Sequence, residues 1–186
     1  MSVASILATE VVRPLSRREY DELVGFGAFS DERVELIRGI IVSMSPLNPP
    51  HNEAVYRADV RLKKALDGRA RVNVQLSFAA SDDSEPEPDI AVVEDRSYAK
   101  SHPGEAFLIV EVAHTSQHRD LEIKPVIYAS SKVQEYWVVD IKRREVVVHR
   151  HSDGAAWGLV QHISESESVS PVAFPDVSIK VSDLLP

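Results

Sequence analysis

Two apolar stretches decide the fold of this chain: Pro88-Asp89-Ile90-Ala91-Val92-Val93 and Phe107-Leu108-Ile109-Val110-Glu111-Val112-Ala113. Both are rich in β-branched residues and are bounded by polar or turn-forming segments, which predicts two short buried strands. Each strand carries one carboxylate, Asp89 or Glu111, at a position where an apolar side chain is the rule. An ionised carboxylate in such a strand is costly unless it is paired, bound to a metal or opened to water. The two carboxylates therefore predict a site for a hard cation.

The composition is that of an ordinary globular protein. A length of 186 residues suits a single domain spanning 1–186, with residues 1–13 as an N-terminal arm that lacks periodicity. The formal net charge of -8 has the wrong sign for a protein that coats nucleic acid by charge alone. It does not exclude a nuclease, because divalent ions and a local basic patch offset it.

The expected location is cytoplasmic. The chain has no cysteine, which removes disulfides and thiolate metal sites and favours an intracellular protein. The first ten residues lack a basic segment followed by a long apolar run, so we expect no signal peptide. No apolar run approaches the ~20 residues of a spanning helix, so we expect no membrane contact.

The pattern of apolar residues predicts one α/β or α+β domain. Ser16 and Glu19 have the spacing of a capping box at the start of a helix. The predicted helices are 16–25, 51–66 and 120–131, the last of which must start late or kink at Pro125. The predicted strands, besides the two that open this section, are 33–38, 40–44, 72–79, 134–140, 145–150 and 157–163, with a strand or short helix in 172–185.

The oxygen atoms of the two carboxylate strands suit Mg²⁺ or Mn²⁺. Period-two alternation places Glu111 on the face of Phe107, Ile109 and Ala113, and Asp89 on the face of Ala91 and Val93. Side-chain oxygens of Asp89 and Glu111 and the backbone carbonyl of Val112 are the ligands that these ions prefer. In the alternative interpretation, Asp89 ends a turn after Pro88 and Glu111 pairs with a lysine. The residues alone leave both open.

Lys124 is the cation with the best spacing to balance this pair. It would orient an attacking water or stabilise charge that develops on a phosphate. Alternatively it forms a helix-surface pair with Asp120, because the two have i,i+4 spacing.

Other chemistries have less support. Zinc is a rival cation, since His114 and His118 have helical spacing and His149 and His151 share a strand face, but neither pair has a clear third ligand. His51 is expected to cap its helix, with a place in the site as the alternative. The serines Ser43, Ser45 and Ser77 lack a nucleophile-elbow context, and no glycine-rich phosphate loop occurs.

An ordered set of motifs carries a family resemblance. The motifs are Glu35-Leu36-Ile37-Arg38-Gly39-Ile40, the turn from Ser45-Pro46 to His51, Glu85-Pro86-Glu87-Pro88-Asp89-Ile90-Ala91-Val92-Val93, Ile109-Val110-Glu111-Val112-Ala113, Asp120 to Lys124, Tyr128 and Glu135-Tyr136-Trp137-Val138-Val139-Asp140. Together they resemble the Uma-two family of bacterial restriction-endonuclease-like proteins, in the PD-(D/E)XK nuclease superfamily, over residues 16–185. The resemblance implies a restriction-endonuclease-like mixed central β-sheet flanked by helices, a homodimer, and a Mg²⁺-dependent site that cleaves phosphodiester bonds.

The resemblance also implies roles for individual residues. Asp89 matches the motif aspartate and Glu111 the second acidic ligand, while Ala113 stands where the superfamily has its lysine. Lys124 matches a lysine on the following helix that replaces it. Further matches are Glu35 as a residue completing the metal shell, and Gln75, Tyr128 and His51 as residues supporting the ligands.

The sequence departs from the family pattern in two places. His114 stands beside the metal strand where relatives have a small polar or acidic residue. Pro125 directly follows Lys124, one position earlier than the proline of relatives, so the direction of the lysine side chain is the point that the structure must decide.

Two functions follow as hypotheses. The first is a metal-dependent DNA endonuclease that uses Asp89, Glu111 and Lys124 as catalytic residues. The second is a non-catalytic dimeric interaction module that keeps the nuclease fold. The basic residues Arg57, Arg61, Lys63 and Lys64 and the 142–144 turn are interpreted as solvated faces, which leaves the DNA-binding surface unassigned.

Overall fold

The computed structural model describes residues 13–44, 48–114 and 118–186. Most of the predicted N-terminal arm and the first residues of the Ser45-Pro46 turn lie outside these ranges. The described helices are α1 (Arg17–Gly25), α2 (Pro49–Ala65), a π-helix (Arg119–Ile123), α3 (Lys124–Ala129) and a 3₁₀-helix (Val181–Asp183).

The strands build a mixed sheet with smaller two-stranded additions. In chain order they are β1 (Val34–Ile37), β2 (Ile40–Ser43), β3 (Arg71–Val74), β4 (Ile90–Val93), β5 (Glu105–Ala106), β6 (Leu108–Ala113), β7 (Lys132–Val133), β8 (Glu135–Asp140), β9 (Glu145–Ser152), β10 (Trp157–Ser164), β11 (Ser168–Val169) and β12 (Ile179–Lys180). The six-stranded sheet has the order β10-β9-β8-β6-β4-β3. Its central pair, β6 and β8, is parallel and the other neighbours are antiparallel. The predicted mixed α+β architecture is confirmed.

Helix α1 and the β1–β2 hairpin form a layer of their own beside the sheet. The predicted capping box is present, since Ser16 Oγ accepts from the Glu19 amide and Glu19 accepts from the Ser16 amide. The Tyr20 hydroxyl donates to the Val34 carbonyl at 3.0 Å and fixes the helix on the hairpin. This layer carries Glu35 on β1, where it is fully buried.

Helix α2 covers one face of the sheet with a stripe of apolar residues. Its buried apolar side chains are Ala54, Val55, Ala58 and Leu62. They pack with the even-numbered residues of β6 and with the C-terminal segment that ends at Leu185. The N-cap is Asn48, whose Oδ1 accepts from the His51 amide at 3.2 Å. The prediction that His51 caps this helix is therefore wrong. Asn48 is the cap, because its amide oxygen reaches the free N–H groups of the first turn.

Alternation along β6 divides its side chains between two cores. Leu108, Val110 and Val112 face α2, whereas Ile109 and Ala113 belong to the core on the opposite face, which α3 covers. Glu111 falls in the second set, as the sequence predicts. Phe107 precedes β6 and packs in the α2 core, so its predicted place on the Glu111 face is wrong.

Several predicted boundaries change in the structure. The strand expected over 72–79 ends at Val74, because Gln75 has a positive φ of 49° that breaks the extended backbone. The loop expected over 164–170 contains β11, which pairs with β12 in the C-terminal segment. Within 13–44, 48–114 and 118–186, no helix has both the length and the apolar character needed to cross a membrane.

The packing of α2 predicts that alanine substitutions at a buried and at an exposed position of this helix change the free energy of unfolding by very different amounts. Leu62→Ala removes a side chain that is 1% exposed and should lower the free energy of unfolding by about 2–5 kcal/mol. Tyr56→Ala, at a position 63% exposed, is the matched control and should change it little. Chemical denaturation of both variants measures the difference, and equal losses would contradict the assigned packing of α2.

Candidate active site

Asp89 lies at the entrance of β4, directly across from Glu111 on β6. Strands β4 and β6 are antiparallel and pair Ile90 with Val110. One position further along, the same register places Asp89 opposite Glu111. The Val112 amide donates to Asp89 Oδ2 at 2.9 Å, and the Asp89 amide donates to Glu111 Oε2 at 3.3 Å. Gln75 approaches the other Asp89 oxygen, Oδ1, at 3.4 Å. The two carboxylates are thus held by backbone groups of the sheet.

Lys124 reaches Glu111. Its Nζ lies 2.7 Å from Glu111 Oε1, and the Tyr128 hydroxyl donates to the same oxygen at 3.0 Å. Lys124 is 4% exposed and Glu111 3%, so the contact is shielded from bulk water. Both donors lie on α3 one turn apart, which is why they converge on one oxygen.

A π-helical turn aims Lys124 at the sheet. The Lys124 amide donates to the Arg119 carbonyl, five residues back, so the turn before α3 is wider than an α-helical turn. Pro125 then falls in the first turn of α3, where a residue without an N–H is tolerated. The Pro125 carbonyl accepts from the indole of Trp157 at 2.8 Å, which anchors the turn to β10.

Glu35 and Asp120 complete the surroundings of the ammonium. Glu35 Oε2 lies 3.4 Å from Lys124 Nζ, and Asp120 Oδ1 lies 4.0 Å from it. Arg119 binds the second oxygen of Glu35 at 3.0 Å. The sequence offered two partners for Lys124, the carboxylates of the sheet or Asp120 on its own helix. Lys124 contacts both, Glu111 in the sheet and Asp120 at i,i+4 spacing.

Burial and charge shift the protonation of the Glu111–Lys124 pair. Burial raises the pKa of Glu111 well above its ordinary value, although the charge of Lys124 opposes the shift. Burial also favours a neutral lysine, but the carboxylates of Glu111, Glu35 and Asp120 outweigh it and raise the pKa of Lys124. Burial and the neighbouring Glu111 raise the pKa of Tyr128. Lys124 is therefore a permanent cation, and Tyr128 a neutral donor.

His51 contacts the far side of Asp89. Its Nε2 lies 3.1 Å from Asp89 Oδ2. Burial opposes the charged form of each group, yet their mutual contact outweighs it, so the pKa of Asp89 is lowered and that of His51 is raised. The Val112 amide and Lys124 lower the pKa of Asp89 further. Asp89 is therefore ionised at neutral pH.

The donor atoms at this site fit a hard divalent cation. When ionised, the four carboxylates of Glu35, Asp89, Glu111 and Asp120 outnumber the permanent cations Lys124 and Arg119 by two. Apart from His51, whose Nε2 is paired with Asp89, the side-chain ligands here are oxygens, which Mg²⁺ and Mn²⁺ prefer. Gln75 makes only a long contact with Asp89 Oδ1, so this oxygen retains capacity for another partner. An ion placed here would relieve the excess negative charge.

Neither rival zinc pair belongs to a group of three metal-ligand side chains among the described residues. His149 is buried against Tyr136 and Trp157, and burial lowers its pKa, whereas His151 is exposed and has a φ of 57° that ends the alternation. His118 is exposed and pairs with Glu122 at 3.2 Å. His149 is buried because its strand, β9, lies between β8 and β10 in the sheet.

The sequence predicts that the basic residues of α2 and of the 142–144 turn are solvent-exposed. Most of them pair with acidic neighbours. Arg57 pairs with Glu53 and Lys63 with Asp59 on the exposed side of α2. In the 142–144 turn, Arg144 pairs with Glu165. These contacts agree with the interpretation of both segments as solvated faces.

The sequence did not single out Arg119, which binds the buried Glu35. Its only signal is its place beside Asp120, one turn before the lysine. Because its contact depends on the π-helical turn, an α-helical periodicity does not reveal it.

A family model described as "putative restriction endonuclease", named Uma2, matches residues 17–182. This chain belongs to the Uma2 family. The predicted family is thereby confirmed, and the match covers α1 through the 3₁₀-helix near the C-terminus. No curated protein matches the chain.

Solved structures support the fold of this Uma2 protein. A crystal structure titled as a putative nuclease belonging to DUF820 from Anabaena variabilis superposes with a TM-score of 0.74 at 17% identity, over 92% of this chain and 97% of that one. At this identity the likeness shows the fold, which is nuclease-like. The type IIG restriction endonuclease BpuSI matches at 18% identity and a TM-score of 0.40, over 80% of this chain and 17% of that one, which is too slight for an argument.

The burial of Lys124 predicts that its removal lowers the free energy of unfolding much more than the removal of an exposed lysine. Lys124→Met should lower the free energy of unfolding by roughly 3–5 kcal/mol, because it leaves buried carboxylates without their cation. The loss should shrink as pH falls towards 4.5, the ordinary pKa of Glu111, since protonation then removes the uncompensated charge. Lys132→Met, which breaks the exposed pair with Glu105, is the control and should have little effect. Denaturation at several pH values tests both, and equal losses would contradict the buried pairing.

The His51–Asp89 contact predicts a pH-dependent contribution to stability in metal-free protein. Because the pKa of His51 is raised, its contribution is full below 6.5 and is lost as pH rises through its folded value. Because the pKa of Asp89 is lowered, its contribution holds above 3.8 and is lost at lower pH. His51→Gln should therefore destabilise more at about pH 5.5 than at about pH 8.5. Denaturation with a chelator present measures this, and the difference should disappear when Asp89→Asn is already in place.

Proposed function

We propose that this Uma2 protein is a metal-dependent endonuclease that hydrolyses phosphodiester bonds in DNA. The observation that carries the proposal is the 2.7 Å contact between Lys124 Nζ and Glu111 Oε1, beside the carboxylate of Asp89. A pair of acidic ligands with a permanent cation next to them suits phosphodiester hydrolysis, because a bound ion and the cation both stabilise negative charge on the phosphate. The Uma2 family description and the nuclease-like fold support the same reaction class.

Asp89, Glu111 and the carbonyl of Val112 would hold Mg²⁺ or Mn²⁺. When bound, the ion supplies polarisation of the scissile phosphate and a water of lowered pKa. The sheet gives these ligands fixed positions, because Asp89 accepts from the Val112 amide and donates its own amide to Glu111.

Lys124 would contribute positive charge to the transition state. Its raised pKa keeps it protonated, so we assign it charge stabilisation and the orientation of the attacking water rather than the role of a base. Tyr128 shares the Glu111 oxygen with it and would fix the direction of the carboxylate.

Supporting residues would hold this arrangement in place. Glu35, which the sequence predicts as a further metal ligand, contacts Lys124 and Arg119, and we propose that it mainly fixes the lysine. Gln75 and His51 would orient Asp89 from its two sides. We further propose that residues 1–186 form one domain that acts as a homodimer in the cytoplasm.

Plasmid cleavage tests the reaction. With Mg²⁺ or Mn²⁺ the wild type should nick supercoiled DNA, and the near-isosteric variants Asp89→Asn and Glu111→Gln should abolish cleavage because they weaken ion binding. Lys124→Ala should lower the rate by about 10²–10³-fold, as loss of one charge-stabilising donor does in other enzymes. The surface variants Glu105→Ala and Lys132→Ala are matched controls and should cleave as the wild type does.

Cleavage that survives Asp89→Asn, Glu111→Gln and Lys124→Ala alike would point to a contaminant or to another site. The non-catalytic interaction module is separated from the endonuclease by calorimetry with Mn²⁺. Equal heats for wild type and Asp89→Ala would remove the basis of the nuclease proposal. Binding that Asp89→Ala weakens, without any cleavage of DNA, would favour a module that has kept only the ion.

A further inference from the structure

A second group of ligand-type side chains lies away from the Asp89–Glu111 pair. Asp21 belongs to α1, Glu85 to the segment before β4, and His102 to the loop after β4. One ligand atom of each lies within 4.8 Å of the others. Among residues 13–44, 48–114 and 118–186, this is the one group of three or more such side chains with that spacing. Three segments distant in sequence therefore meet at one point.

Glu85 is the fixed member of this group. Its backbone pairs with Leu36 in both directions, at 2.8 and 3.3 Å, so the residue is tied to the β1–β2 hairpin. The residue is 3% exposed, and its Oε2 has no hydrogen-bond partner among the described residues. A buried carboxylate oxygen without a donor is costly, so this oxygen has the capacity to bind a cation.

Arg17 supplies only part of the missing charge. Its Nη1 lies 3.9 Å from Glu85 Oε2 and 3.7 Å from Asp21 Oδ2, beyond hydrogen-bond distance. The Nε of the same guanidinium is committed to the Ser81 carbonyl at 3.2 Å. Burial, together with the charge of Asp21, raises the pKa of Glu85 to about 7 in spite of Arg17. The two neighbouring carboxylates therefore carry more negative charge than Arg17 compensates.

The group opens into a cavity of about 620 Å³. His102 Nε2 lies 3.6 Å from Glu85 Oε1, and the side chains of His102 and Asp21 are about half exposed. The cavity continues past Ser77 and Tyr98, so an ion at this group would keep positions open to solvent.

We propose that Asp21, Glu85 and His102 form a second cation site, which takes Zn²⁺ or a similar divalent transition metal. Two carboxylate oxygens and one imidazole nitrogen are three protein ligands, the number found in zinc sites that keep a position open. An imidazole favours Zn²⁺ over Mg²⁺, whereas the oxygens around Asp89 favour Mg²⁺. The chain therefore carries two sites with different ion preferences.

This second site would tie the periphery of the fold together. An ion bound by the three residues joins α1, the segment that leads into β4, and the loop that leads into β5. The same loop is held at its end by the Ala79 amide, which donates to the Pro103 carbonyl at 2.8 Å. Binding should therefore stabilise these segments whether or not the protein cleaves DNA.

Calorimetric titration of the full chain with Zn²⁺, with Mg²⁺ in large excess, tests the site. The wild type should bind one Zn²⁺ that Mg²⁺ does not displace. His102→Ala and Asp21→Asn should weaken this binding by at least the roughly 10–100-fold that loss of a supporting residue costs a metal site. Both replaced side chains are half exposed, and circular dichroism checks that the variants fold.

Two matched variants make the result specific. His162→Ala removes another half-exposed histidine beside a carboxylate, Glu145 at 2.9 Å, and should bind Zn²⁺ as the wild type does. Asp89→Asn should also retain the Zn²⁺ site, which separates it from the proposed nuclease centre. Co²⁺ in place of Zn²⁺ should give visible absorption bands that His102→Ala changes. Wild-type Zn²⁺ binding by His102→Ala, or an equal loss in His162→Ala, would overturn the proposal.

Discussion

The contact between Lys124 and Glu111 is the constraint on which the structure depends. Glu111 lies in a central strand of the sheet, with covered faces on both sides, so its charge has no access to bulk water. An uncompensated carboxylate at this position would cost several kcal/mol, so the buried cation contributes strongly to the stability of the fold. The π-helical turn and α3 supply that cation. The same ion pair that stabilises Glu111 in its strand also creates a charged site in a region of low dielectric.

Sheet register brings the other groups to this point. The antiparallel pairing of β4 with β6 sets Asp89 opposite Glu111, and the hairpin of β1 and β2 lays Glu35 over the lysine. Each group comes from a different element, yet backbone hydrogen bonds determine the position of each. Loss of the cation would therefore affect the strand, the hairpin and the helix together.

The sequence predicted the parts of the site that interrupt a regular pattern. Asp89 and Glu111 were found because carboxylates are rare in apolar β-branched strands, and alternation predicted which residues of each strand share the face of the carboxylate. Lys124 had two possible partners, and only the resemblance to a family favoured the sheet. Its direction depends on a π-helical turn, which leaves no periodic signal in sequence. The early end of β3 depends on the backbone angle at Gln75, and the meeting of Asp21 with His102 depends on how a helix and a loop pack together.

The hydrogen bond from Trp157 to the Pro125 carbonyl joins the outermost strand of the sheet to the turn that carries the lysine. Among the described strands, β10 has one neighbour in the six-stranded sheet, β9, so its outer side is an edge to which another strand can add. A partner that shifted this edge would pull on the peptide group next to Lys124. The fold thus links an edge strand of the sheet, through one hydrogen bond, to the turn that positions the buried cation.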